Sequence, residues 1–181
     1  MATFIVKVNH PLEPFELNNL TSARMDLVAR CVNAALWLDH GIRRDVVVYF
    51  CFSNNITVRI DGRVRNMNPD ERNIASFFKH IQGGKSFPGI SLNRAGLWDV
   101  VAEAKARNCF VLDKNGIDIS EFTKNHSIQD SVFLLGDDIG LSKKEVVKAS
   151  ELGFVPLSIG PKSYFTSQCI CFLNIWLDRF G

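Results

Sequence analysis

Three loops in the second half of the chain carry the residue types best able to hold a ligand. They are Val111-Leu112-Asp113-Lys114-Asn115-Gly116, Leu135-Gly136-Asp137-Asp138-Ile139-Gly140-Leu141-Ser142 and Ser158-Ile159-Gly160-Pro161-Lys162-Ser163-Tyr164. Each continues an apolar run that reads as a strand, and in open α/β sheets ligands bind beyond the carboxyl ends of strands. In two of them a glycine directly follows the strand, where the backbone turns sharply or approaches something closely. Any one of the three is also at home as an ordinary connection; together they mark one end of a sheet as the place for chemistry. Other chemistries find no support. Gly83-Gly84-Lys85-Ser86 has the ending of a phosphate-binding loop, but the GxxxxGK[ST] pattern is incomplete and helical residues precede it. No GxGxxG follows a strand, which disfavours a nicotinamide-dependent dehydrogenase. His10, His40, His80 and His126 form no HxxxH or HExxH pair, and Cys31, Cys51, Cys109, Cys169 and Cys171 give no paired CxxC sets, so no metal site is expected. Their odd number and irregular spacing fit reduced core thiols better than a disulfide framework.

The elements that would position these loops alternate between strand and helix. Phe4 to Val8 reads as a first strand. Thr21-Ser22 can cap a helix running to Trp37, with Met25, Val28, Ala29, Val32 and Leu36 on its apolar face and Gly41 ending it. Asp45 to Phe52 is an almost unbroken apolar run, which suits a strand buried on both faces of a parallel sheet. Asp61-Gly62, between Ile56-Ile60 and Val64-Arg65, has the composition of a type I′ hairpin turn. Asn68-Pro69 fits an N-cap followed by proline at the first helical position, opening a helix towards Ile81. Gln82 to Pro88 reads as a loop and Leu97 to Arg107 as a helix. Cys109 to Leu112, Ser131 to Leu135 and Phe154 to Ile159 read as strands. Ser142, with Glu145 three residues on, forms a capping box for a helix to Glu151. Tyr164 to Arg179 reads as a last helix. Such alternation implies an α/β sandwich.

A chain of 181 residues with 46% hydrophobic and 22% charged residues has the means to build one sizeable core as a single domain, and its net charge of +2 excludes a surface coated in basic residues. RNA binding needs only a local basic patch, so the low charge leaves it open. The opening Met1 to Val8 is too short and interrupted for a signal peptide. No apolar run approaches the roughly 20 residues that span a bilayer. A cytoplasmic location without membrane contact is the expectation. Ile170, Cys171, Phe172, Leu173, Ile175, Trp176, Leu177 and Phe180 make the last helix apolar around more of its circumference than one stripe. Burial on several sides within the monomer, or across a twofold interface, would satisfy it.

Phe133 to Ser142 resembles the second motif of the SPOUT superfamily, a strand, a glycine and then a GL(S/T) sequence before a helix. Leu157 to Tyr164, followed by Ser167-Gln168-Cys169-Ile170, resembles the third. Cys31-Val32-Asn33-Ala34-Ala35-Leu36, His40-Gly41-Ile42-Arg43-Arg44-Asp45-Val46 and Asn68-Pro69-Asp70-Glu71-Arg72 are similar to the tRNA pseudouridine-54 N1-methyltransferase (TrmY) family. The resemblance spans nearly the whole chain. It implies a single SPOUT methyltransferase domain over residues 1–181: an α/β sandwich with a parallel-rich sheet and a C-terminal trefoil knot, knot and cofactor site falling in roughly 109–181. Periodicity could not predict a knot, because chain connections otherwise avoid threading loops. The resemblance also implies a homodimer joined through the last helix, a tRNA substrate, and S-adenosyl-L-methionine held by Leu112, Gly136, Ile159, Gly160, Pro161, Lys162, Ser163, Tyr164 and Cys169. These positions coincide with the strand-end loops, whose mostly neutral side chains suit a sulfonium cofactor bound through backbone amides and an apolar slot.

Methylating N1 of pseudouridine requires in-line positioning and a group that accepts the imino proton or stabilises the anion. Asp70 is the candidate for substrate contact or proton acceptance, although an acid near a helix start also simply favours the dipole. Asp137 and Asp138 are alternatives that also read as solvated acids flanking a helix. Arg43 and Arg44 read equally as a dipole-matched helix end and as RNA phosphate contacts; Arg24 and Arg72 are candidates for the same RNA-binding surface. A methyltransferase for another RNA such as rRNA, and a non-catalytic knotted RNA-binding dimer, remain the alternatives.

Overall fold

The computed structural model describes residues 1–104 and 108–180. Strand β1 (Ala2–Val8) is followed by a short 3-10 turn at Leu20–Ala23 and helix α1 (Met25–Leu36), then by the two-residue strands β2 (Trp37–Leu38) and β3 (Gly41–Ile42). Strands β4 (Val46–Phe52) and β5 (Ile56–Asp61), helix α2 (Glu71–Gln82), strand β6 (Ile90–Arg94) and helix α3 (Leu97–Glu103) complete the first half. Strand β7 (Asn108–Asp118), the single-turn helix α4 (Ile119–Phe122), strand β8 (Ser131–Gly136), helix α5 (Lys143–Glu151), strand β9 (Val155–Ser158) and helix α6 (Thr166–Phe180) form the second. Seven strands make one sheet in the order β6-β5-β4-β1-β8-β7-β9. The run from β4 to β9 is parallel throughout, and only β5 and β6 add antiparallel pairings at one edge.

Why the central strands read as unbroken apolar runs is clear from their two faces. Phe4, Val6 and Val8 of β1 and Phe133 and Leu135 of β8 pack into one core under α1, α2 and α6. Ile5 of β1 and Val132 and Leu134 of β8 pack into a second core under α3 and α5. Phe133 stacks between Phe4 and Phe110, with ring centroids 5.6 and 5.5 Å apart. Burying each such ring contributes roughly 1.5–3 kcal/mol. Parallel strands covered on both faces place all their carboxyl ends along one edge, where the late loops lie.

Local departures from the sequence reading have local causes. The first long helix starts at Met25, because Arg24 adopts a left-handed φ of 54° and separates it from the 3-10 turn. It ends at Leu36, before Gly41, as the chain turns into the small β2–β3 ribbon. Asp61-Gly62 forms no hairpin. The hairpin joins β4 to β5 through Ser53-Asn54-Asn55, with Asn55 at φ 56°. Asp61 instead accepts bonds from Arg59 and Arg63, and Gly62 is pressed against the Arg43-Arg44 backbone. Helix α2 is capped by Asp70, whose carboxylate accepts the Asn73 N–H at 2.8 Å, rather than by Asn68. Ile90–Arg94, unassigned from sequence, pairs with β5 as an edge strand. Helix α3 ends at Glu103, with Ala104 extended at its C-cap, and the remainder of the helix expected to Arg107 lies outside the described residues.

At Asp61, burial alone would raise the carboxyl pKa, but bonds from Arg63 and Arg59 outweigh it and hold the group well below the usual carboxylate range. A depressed folded-state pKa contributes stability above the unfolded value of about 3.9 that is lost as pH falls through the folded one. The stability gap between wild type and Asp61→Asn is therefore expected to be full at pH 7 and to shrink below about pH 4, as read from urea midpoints across that range.

Candidate cofactor cleft

The ends of β7, β8 and β9 enclose a cleft of about 580 Å³, closed on one side by Arg24, Leu27 and Arg30 of the α1 region. Its β7 wall is not a loop following a strand. The strand breaks register between Leu112 and Ile117, and Asp113-Lys114-Asn115-Gly116 forms an excursion within it. Asp113 turns that excursion by accepting the Asn115 N–H at 2.8 Å. Gly116 sits so close to the Pro156-Leu157 backbone that a Cβ would lie 2.5 Å from the Pro156 carbonyl carbon.

The β8 wall is tied down from three directions. Asp137 is only 7% exposed, which corrects its reading as a solvated acid. Its carboxylate accepts the Asn9 N–H and side-chain amide, both at 2.6 Å, and the Ile139 N–H at 3.1 Å. Thr166 at the start of α6 donates to the Gly136 carbonyl at 2.7 Å. Ser142 caps α5 in a capping box with Glu145, and Glu145 is also paired with Lys7 of β1 at 2.8 Å. On the β9 wall, Gly160 has φ 147°, and a Cβ there would stand 2.7 Å from the Tyr164 hydroxyl. Ser158 braces this turn by donating to the Gly160 carbonyl at 3.1 Å.

Leu112, Gly136, Ile159, Gly160, Lys162, Ser163, Tyr164 and Cys169 all line this one cleft. Pro161 does not; it lies exposed on the rim between two residues that do. Arg24 lines the cleft and is paired with Asp138 at 2.5 Å. The other expected residues lie elsewhere. Asp70 and the exposed Arg72 line a separate shallow cavity with Leu17, Asn18 and Leu20. Arg43 is committed to α6, holding Asp178 through two bonds at 2.8 and 2.5 Å. Arg44 donates to the Gly62 carbonyl beside another shallow cavity that includes Trp37 and Pro69. Sequence reasoning missed Arg30, which lines the cleft, is held by Asp26 at 2.8 Å and approaches Glu71 at 3.6 Å. Its i,i+4 spacing from Asp26 was the available signal. The Asn9–Asp137 tie joins residues 128 apart, and no local pattern announces it.

The thiols at the cleft are quiet. Burial pushes Cys169 up to about 11 and Cys31, beneath it, higher still, so neither is a thiolate at neutral pH. Cys171 is the exposed cysteine. Iodoacetamide at pH 7.5 is expected to label Cys171 first and to leave Cys169 largely unmodified, as read by peptide mass spectrometry.

A cradle of glycines that a Cβ would fill, an apolar wall of Leu112, Leu141, Leu157 and Ile159, and polar groups at the rim suit a small, partly apolar ligand held against the backbone. A mostly parallel α/β sheet with such a cleft at the ends of three adjacent strands has the layout of a cofactor-binding domain; among the described residues no cluster suited to a metal ion occurs. The family model described as "Putative SAM-dependent RNA methyltransferase" matches residues 1–181, and the chain belongs to that family. A relative from Pyrococcus abyssi, named tRNA (pseudouridine(54)-N(1))-methyltransferase, is 34% identical over 100% of this chain and 99% of its own length. A relative of the same name from Methanosarcina acetivorans is 35% identical over 91% of this chain and 84% of its own. The crystal structure of Archaeoglobus fulgidus Nep1 bound to S-adenosylhomocysteine shares the fold, with a TM-score of 0.66, 15% identity and coverage of 99% of this chain and 97% of that one.

Proposed function

We propose that this protein transfers a methyl group from S-adenosylmethionine to N1 of a pseudouridine in tRNA, at position 54 as its relatives' names specify. The observation that carries this reading is the single cleft at the ends of β7, β8 and β9, whose glycines and neutral wall fit that cofactor. When bound, the cofactor supplies a methyl carbon on a positively charged sulfur, which leaves as a neutral thioether with the C–S electron pair. In the proposed complex Leu112, Ile159 and Cys169 provide the apolar slot, Gly136 and Gly160 the close backbone approach, and Pro161, Lys162, Ser163 and Tyr164 the rim. The target base leaves its stack to reach the cleft. Asp70 contacts the RNA beside it, and phosphate contacts fall to Arg44 and Arg72, since Arg43 is taken up by Asp178 and Arg24 by Asp138.

The same reading includes a C-terminal knot. The closeness of Gly116 to the β9 backbone and the Thr166–Gly136 bond support a tightly threaded segment. It also includes a homodimer through α6, where Phe172, Trp176 and Phe180 form an aromatic row with Ile175 and Phe180 half exposed. No described helix is long and apolar enough to cross a membrane, and a tRNA substrate is in keeping with a cytoplasmic enzyme.

Calorimetric titration with S-adenosylmethionine tests the cleft. Saturable binding is expected for the wild type, with loss of binding in a folded Gly160→Trp variant, whose indole would fill the β9 wall. Equal binding by the variant would remove the cofactor from this site.

A further inference from the structure

Methylation at N1 of pseudouridine leaves one proton to be placed, and three carboxylates line the cleft: Asp113, Asp137 and Asp138. Asp137 is buried, and both its oxygens are engaged by Asn9 and Ile139. Asp113 spends one oxygen on the backbone and side chain of Asn115, shaping the β7 excursion. Asp138 differs from Asp137 in its exposure, and from Asp113 in being held by a guanidinium rather than by its own turn. Its side chain is 33% exposed, one oxygen meets Arg24 at 2.5 Å, and the other accepts no hydrogen bond from the described residues. Asp70, by contrast, lines a different cavity and caps α2.

The geometry points to Asp138 as the proton acceptor of the methyl transfer, with Arg24 orienting its carboxylate. This assignment rests on the pseudouridine reading above. N1 forms the new bond to carbon, the N–H bonding pair stays on nitrogen, and the proton passes to the open oxygen of Asp138 and then to solvent. Arg24 is built for the orienting role. It is the N-cap of α1 in a left-handed backbone conformation that a non-glycine residue adopts only when its surroundings hold it there. Its Nε lies 3.6 Å from the carboxylate of Asp26, which also holds Arg30, so a second negative charge stands behind the guanidinium that reaches Asp138. The charged groups that line the cleft with Asp138 are Arg24 at the N-cap of α1, Arg30 of α1, Asp113 and Lys114 of the β7 excursion, Asp137 beside it, Lys143 at the start of α5, and Lys162 after β9. The five cations outnumber the three carboxylates, a lining suited to a polyanionic substrate.

The test compares wild type, Asp138→Asn and Asp138→Glu in single-turnover methylation of pseudouridine-containing tRNA at saturating tRNA and cofactor. Melting temperature and cofactor-free tRNA affinity are measured alongside. Asp138→Asn is expected to be slower by about 100-fold or more, with tRNA affinity within about threefold of wild type. Asp138→Glu should restore part of the rate. An Asp138→Asn rate within about threefold of wild type overturns the assignment, as does a rate loss matched by an equal loss of tRNA affinity. A wild-type protein that binds pseudouridine-containing tRNA and the cofactor yet transfers nothing overturns the pseudouridine reading itself, and the proton assignment with it.

Discussion

Gly136→Ala is expected to lose cofactor binding while leaving most of the fold in place. A Cβ on Gly136 would stand 2.6 Å from the Gly140 Cα and 2.7 Å from the Leu141 nitrogen, with the Gly140 carbonyl carbon nearer still. All three are backbone atoms, so no side chain can swing aside. The 136–141 loop must move as a unit, and that loop forms the β8 wall of the cleft. Overpacking of this kind costs about 1–3 kcal/mol of stability. Because the same displacement reshapes the binding surface, cofactor affinity is expected to fall by at least about tenfold, roughly 1.4 kcal/mol. Titration calorimetry and a thermal melt on the same preparation separate the two effects. A variant that binds the cofactor as well as wild type would mean that the β8 wall takes no part in holding it.

Asp137→Ala should produce the largest loss of stability among the polar substitutions near the cleft. Its carboxylate is the partner of three donors, two from Asn9 and one from Ile139. Removing it leaves part-buried N–H groups unsatisfied, at a cost of roughly 3 kcal/mol. For a chain of this size that corresponds to a fall in Tm of roughly 6–12 °C. Asp137→Asn keeps the shape but turns an amide NH₂ toward donors, so it should fall between the two. The contrast with Asp138 is direct: that side chain is exposed and, among the described residues, bonded only to Arg24, and its substitution should barely move the melt. A large Tm loss at Asp138 with none at Asp137 would reverse the roles assigned to these neighbours.

How much of this was legible in the sequence depended on whether the signal was local. The strands β1, β4 and β8 were readable because burial on both faces leaves an unbroken apolar run. Ser142 and Glu145 announced the start of α5, since a capping box is complete within four residues. The three glycine-bearing loops could be expected to meet in one cleft because parallel strands put their ends together. The hairpin was misplaced because Asp61-Gly62 has turn composition, while Asp61 is drawn into an Arg59–Arg63 bridge that no turn pattern encodes. Arg43 read equally as an RNA contact and a helix end; its bond to Asp178, 135 residues away, makes it a tie between the β3–β4 connection and α6. The burial of Asp137 was invisible for the same reason, as its partner Asn9 lies at the far end of the chain. Long-range polar pairing decided which charged residues of the candidate site were free, and a single sequence does not display it.

The central claim is methyl transfer to N1 of pseudouridine, and one measurement bears on it most directly. Two tRNA transcripts identical except for pseudouridine or uridine at position 54 are incubated with the protein and S-adenosylmethionine, and their nucleosides are resolved by mass spectrometry. N1 of uridine is bonded to ribose and carries no proton to replace, whereas N1 of pseudouridine is a free N–H. The account predicts N1-methylpseudouridine from the first transcript and no methylated nucleoside from the second. Equal methylation of both, or of neither, would contradict it.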